Sequence, residues 1–140
     1  MGITQSVFPV SQELKMSLLE TLIQRGEIQN AIVFTRTKHR ANRLFEQLEK
    51  RRIKVARIHG NRSQVQRTEA LAGFKSGTFP VLVATDIAAR GIDVDGISHV
   101  INLDVPNEPE SYVHRIGRTA RAGAAGIALS FCDSEERPYL

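Results

Sequence analysis

Five short runs of apolar, largely β-branched residues punctuate the chain: AIVFT (31–35), KVARI (54–58), PVLVAT (80–85), SHVINL (98–103) and GIALSF (126–131). Several are apolar at consecutive rather than alternate positions, the pattern of strands covered on both faces in a parallel sheet. QSVFPV (5–10) reads as an edge strand, because Pro9 has no N–H to give to a ladder. Between the runs the period changes to that of a helix. Leu14, Leu18, Leu19 and Leu22 mark a helix from Ser11 to about Arg25, stopped by Gly26. Ala41, Leu44, Phe45 and Leu48 form one stripe of a second, from Thr37 to about Lys50. A third runs from Ser63 to about Lys75 and opens on Ser63 and Gln66 at capping-box spacing. Asn107 and Glu110 open a fourth in the same way, to about Arg118. Strands alternating with helices predict an α/β fold, a parallel sheet with right-handed crossovers.

The bulk numbers narrow this only a little. A chain of 140 residues suits one domain with its own core. No apolar run approaches the roughly 18 residues of a membrane span, and no charged-then-apolar leader opens the chain, so cytoplasmic placement and no membrane partner are expected. Cys132 is the single cysteine, which excludes an internal disulfide and a cysteine metal cluster; it reads as a small buried hydrophobe. The net charge of +4 is weak support for a polyanionic partner.

In a parallel sheet, ligand sites gather beyond the carboxyl ends of the strands. Three such loops are rich in hydroxyls, backbone amides, helix starts and arginines, which together suit phosphate oxygens: TRTK after the 31–35 run, HGNRSQVQR after 54–58, and TDIAARGID after 80–85. In the second, Gly60 permits close approach of the backbone, and Gln64 and Arg67 share a helix face. Arg67 reads either as a solvated helix cation or as a phosphate contact; His59 reads as a packing histidine. In the third, Thr85 and Asp86 close the strand, and Arg90-Gly91 is followed by Asp93. That aspartate is suited to a sugar hydroxyl or to capping the next turn.

YVHRIGRTARAG (112–123) concentrates His114, Arg115, Arg118 and Arg121, broken by Gly117 and Gly123. On a continued helix, His114 and Arg118 lie one turn apart, and Arg121 continues the row. Guanidiniums stay charged and bind phosphate bidentately, so the segment suits either charge developing on a transferring phosphoryl group or a plain basic surface. No G-x-x-x-x-G-K-[ST] loop and no strand-end acidic pair to hold magnesium occurs, so the chain does not cradle a nucleoside triphosphate alone.

AIVFTRTK, HGNRSQVQR, VLVATDIAARGID and YVHRIGRTARAG, in this order and spacing, resemble motifs IV, IVa, V and VI of the second RecA-like domain of DEAD-box RNA helicases. The likeness runs from about Gln5 to Phe131, and its wording is similar to bacterial members. The resemblance implies one RecA-like C-terminal domain over residues 1–140, a three-layer sandwich, with the ATP-binding domain preceding residue 1 and Met1-Gly2 an expression start. It implies RNA-backbone contact by Thr35, Arg36, Gly60, Arg67, Thr85 and Asp86, with Gln64 supporting the helix start. Gly91 and Asp93 are implied near the nucleotide ribose, and Arg118 and Arg121 as arginine fingers to the γ-phosphate of ATP. ATP and Mg2+ would be held mainly by the preceding domain. Arg90, His114 and Arg115 are implied to couple the two domains, and Phe34 to pack against the motif VI arginines. Ala120 departs from the glycine of many members and stiffens the finger loop.

The resemblance thus implies a half of an ATP-dependent RNA helicase that makes sequence-independent backbone contacts, unwinds short duplexes and is inactive without its partner domain. Two alternatives stand beside it: half of a related DNA-acting helicase, separable by dependence on the 2′-hydroxyl, and a non-enzymatic RNA-binding module, against which Asp93, Arg118 and Arg121 speak.

Overall fold

The computed structural model describes residues 3–59, 62–89, 97–106 and 126–140. Six strands, β1 (Ile3–Pro9), β2 (Ala31–Thr35), β3 (Val55–Ile58), β4 (Val81–Thr85), β5 (His99–Asn102) and β6 (Gly126–Cys132), form one sheet in the order β1-β6-β5-β2-β4-β3. Every pairing is parallel. Helices α1 (Lys15–Gln24), α2 (Lys38–Lys50), α3 (Gln64–Lys75) and the single turn α4 (Asp86–Ala89) connect them.

Strand β2 shows why its run is continuously apolar. Ala31 and Val33 enter a cluster with Leu19 of α1 and Leu44 and Leu48 of α2. Ile32 and Phe34 enter a second cluster on the opposite face, with Ala70 and Phe74 of α3. Both faces are therefore core, and no position is left for a polar alternate. The result is the three-layer sandwich expected.

Local signals set the element ends. Gly26 takes φ +77°, a left-handed conformation that suits glycine. Its N–H donates to the Ile23 carbonyl and that of Glu27 to the Leu22 carbonyl, a Schellman closure of α1. Ser63 and Gln66 make the reciprocal capping box at the start of α3, at 3.1 and 2.9 Å. Thr37 accepts the Arg40 N–H at the start of α2. The first helix differs from expectation: a 3-10 turn, Gln12–Leu14, precedes α1, because the Ser11 side chain makes no cap and its carbonyl instead accepts the Leu14 N–H. β1 is an edge strand, as Pro9 requires; its ladder with β6 runs through Pro9, opposite Cys132, and the Val10 N–H then donates to Cys132 O at 3.0 Å. The helix expected over Asn107–Arg118 lies outside the described residues.

Candidate nucleic-acid interface

The register aligns the strand ends that matter. Thr35 of β2 pairs with Thr85 of β4, and Ile58 of β3 with Ala84. The loops after β2, β3 and β4 therefore leave the same sheet edge from neighbouring strands.

In the first loop, Thr35 is buried and its hydroxyl donates to the Thr37 carbonyl at 3.0 Å. That bond shapes the turn into α2. Arg36 is fixed at two points: its N–H donates to Asp104 Oδ2 at 3.0 Å, and its Nη2 donates to Val105 O at 2.8 Å and to Glu136 Oε2 at 3.1 Å. The Arg36 side chain is still 43% exposed.

In the second loop, His59 is buried, and its Nε2 lies 2.9 Å from Asn42 Oδ1, which also accepts from Arg57 Nη1 at 3.0 Å. An amide oxygen only accepts, so Nε2 is the protonated nitrogen. Arg57 in turn lies over the Phe45 ring, 4.1 Å from its centre. Burial first, and then the nearby charges of Arg57, Arg62 and Lys38, hold His59 below the ordinary histidine value. The packing role read from sequence fits these bonds. The Arg62 guanidinium is likewise lowered, first by burial and then by Arg57. Gln64 is exposed on the first turn of α3, and Arg67 lies one turn on, half-buried. The two share a face as the spacing requires.

In the third loop, Thr85 is buried against the sheet. Asp86 does not extend the strand but opens α4, since the ladder with β2 stops at Thr85. Phe34 packs in the α3-side core with Ala84, Ala88 and Val100. The other residues singled out from sequence, Gly60, Arg90, Gly91, Asp93, His114, Arg115, Arg118 and Arg121, lie outside the described residues.

One charged cluster was not foreseen. Lys15, Asp104 and Glu136 are all enclosed, at 0%, 2% and 3% exposure. Lys15 Nζ donates to Glu136 Oε1 and to Asp104 Oδ1, the latter at 3.5 Å, and Arg40 Nε donates to Asp104 Oδ2 at 2.7 Å. Burial alone would raise the Asp104 carboxyl. The Arg40 and Arg36 hydrogen bonds and the charges of Arg40 and Lys15 outweigh it and hold it below the usual carboxylate range. Sequence carried one faint signal: Asp133 and Glu136 stand at capping spacing, and each accepts the other's backbone N–H.

The fold that carries these loops has a family counterpart. The model of the helicase conserved C-terminal domain matches residues 14–123, most of the chain. The chain belongs to that family. This helicase C-terminal domain is similar to DEAD-box proteins. CshA of Bacillus subtilis, named as a DEAD-box ATP-dependent RNA helicase, is 47% identical over 139 residues, 99% of this chain and 28% of its own. The domain thus spans under a third of that relative's length. A DEAD box protein from Methanococcus jannaschii superposes with a TM-score of 0.89 at 39% identity, over 98% of this chain and 38% of that one. Dbp5 of S. cerevisiae, solved bound to RNA and ADP BeF3, superposes at 0.83 with 32% identity, over 94% of this chain and 35% of that one. No helix among the described residues is long and apolar enough to cross a membrane.

Proposed function

We propose that this domain is the RNA-gripping half of an ATP-dependent RNA helicase and completes the ATP site of a preceding RecA-like domain. The observation that carries the reading is the register that brings the loops after β2, β3 and β4 to one sheet edge. Arg36 and Arg67 supply charge there, the start of α3 supplies backbone amides, the buried Thr35 and Thr85 support the loops from beneath, Asp86 opens α4, and Gly60 would let the backbone approach a ligand. Such groups bind a phosphodiester backbone without reading bases. The relatives named above as RNA helicases, and the RNA held by Dbp5, support this choice of ligand.

On the nucleotide side the roles fall to Gly91 and Asp93 at the ribose and to Arg118 and Arg121 at the γ-phosphate. ATP with Mg2+, held mainly by the other domain, would supply the free energy of phosphoryl transfer. Two guanidiniums that stay charged would offset the charge developing on the phosphoryl oxygens. Arg90, His114 and Arg115 would join the two sides, so that closure of the halves over RNA and over nucleotide is one event. Closure on a bent single strand strips a short duplex locally.

The test is a titration of the chain with labelled single-stranded RNA of several sequences, at several salt concentrations. Affinity should fall steeply with salt, and Arg67→Ala should weaken every sequence alike and lower the slope of log K against log salt by about 0.7. Strong preference for one sequence, or an unchanged slope in Arg67→Ala, rejects the reading.

A further inference from the structure

Arg36 is a candidate RNA contact whose main chain and side chain are both held by carboxylates from other parts of the fold. Asp104, just beyond β5, takes its N–H, and Glu136, beyond β6, takes its Nη2. Neither carboxylate is free to drift. Asp104 is also bound by Arg40 Nε of α2 and by the Lys15 ammonium of α1. Glu136 is bound by the same ammonium, by the Val105 N–H at 2.8 Å and by the Asp133 N–H at 3.1 Å. With both carboxylates nearly excluded from water, these bonds are charge-assisted in a low-dielectric setting and oriented.

The guanidinium is thereby anchored along one edge only. Nη2 carries both side-chain bonds, while Nε and Nη1 make none among the described residues, and the side chain remains 43% exposed. An arginine loose in solvent surrenders its rotamer freedom when it meets a phosphate; one anchored beforehand has already done so.

We propose that Asp104 and Glu136 are positioning residues for the RNA-backbone contact: they hold Arg36 with its open edge outward, through a buried cluster completed by Lys15 and Arg40. The proposal rests on the RNA reading above. Strength of RNA contact at the β2 loop then depends on two carboxylates that never touch RNA and would, in the open, repel it.

The experiment is a double-mutant cycle on RNA affinity, using a labelled single-stranded oligouridine and the 140-residue chain, with thermal melts to verify folding. Arg36→Ala should weaken binding roughly fivefold, the worth of one exposed charge contact, and lower the salt slope by about 0.7. Glu136→Gln should weaken it in the same direction, although it removes a negative charge from a protein that binds a polyanion. Added to Arg36→Ala, it should change nothing further. If Glu136→Gln fails to fold, Asp104→Asn is read in the same cycle. Tighter or unchanged binding in Glu136→Gln, or an equal loss in the Arg36→Ala background, overturns the positioning role while leaving the RNA reading intact. No RNA binding by the wild-type chain removes the RNA reading, and this proposal with it.

Discussion

Lys15 lies on the same face of the first helix as Leu18, Leu19 and Leu22, a face on which a lysine is out of place by polarity, and it is wholly enclosed. A buried ammonium is tolerated because two carboxylates meet it, and removing it takes away the cation they share, leaving Asp104 to Arg40 and Glu136 to Arg36. Lys15→Met should therefore lower stability by about 3–5 kcal/mol in urea unfolding at neutral pH; a loss below about 1 kcal/mol would mean that water already reaches the cluster. Histidine titration acts in a separate window. His59 and His99 are both lowered, burial being the largest cause in each. The unfolded chain then binds more protons than the fold, so stability rises with pH from their lowered folded values up to about 6.5. Urea midpoints should climb as pH rises toward about 6.5 and level off above it. His59→Gln should flatten part of that climb, with His99 contributing to what is left; an unaltered profile would mean that His59 titrates alike in the folded and unfolded chain. Asp104 adds stability that is present above about 3.9 and is lost as pH falls through its lowered folded value.

Helices and strands were legible where their signals are short-range. The Ser63–Gln66 box, the Thr37 cap and the Gly26 stop each depend on contacts within five residues, and each appears where the pattern predicted it. The first helix, read from Ser11, begins as a 3-10 turn and becomes α-helical only at Lys15, because Ser11 makes no side-chain bond to the helix start and the leucine spacing alone does not report this. Gly73 shows the limit of propensity in the other direction. Within α3 alanine would be favoured by about 1 kcal/mol. A Cβ there, however, would lie 2.4 Å from the Phe79 ring, which packs against the α3-side core. Overpacking costs about 1–3 kcal/mol, so Gly73→Ala should lower rather than raise the melting temperature. A higher melting temperature would show that the ring moves aside freely.

For the molecule as a unit, the prediction is one of incompleteness. The 140 residues contain no phosphate loop, and a few charges on an open surface are each worth about 1 kcal/mol against phosphate. Micromolar affinity needs about 8 kcal/mol. The chain alone should thus bind ATP poorly and show no RNA-stimulated hydrolysis, while fusion to a DEAD-box N-terminal domain should restore both. In that fusion, Arg118→Ala or Arg121→Ala should abolish most turnover, a finger being worth ~10³–10⁵ in rate, with RNA binding little changed. An ATPase assay with saturating RNA decides; sustained turnover by the chain alone would place a complete site within it.

Read along the chain, apolar periodicity, caps and breakers already specify an alternating α/β domain, its parallel strands and the strand-end loops that carry the candidate site, because these signals act between residues a few positions apart. The motif wording carried the family as well. Strand order was another matter: β6 inserts between β1 and β5, and β2 lies between β5 and β4, arrangements for which no strand carries a local mark. The same holds for the charged cluster. Lys15 meets Asp104 and Glu136 across 89 and 121 positions of sequence. Only the packed fold brings them together, since a lone buried charge is costly and becomes tolerable when distant elements deliver its partners to the same point.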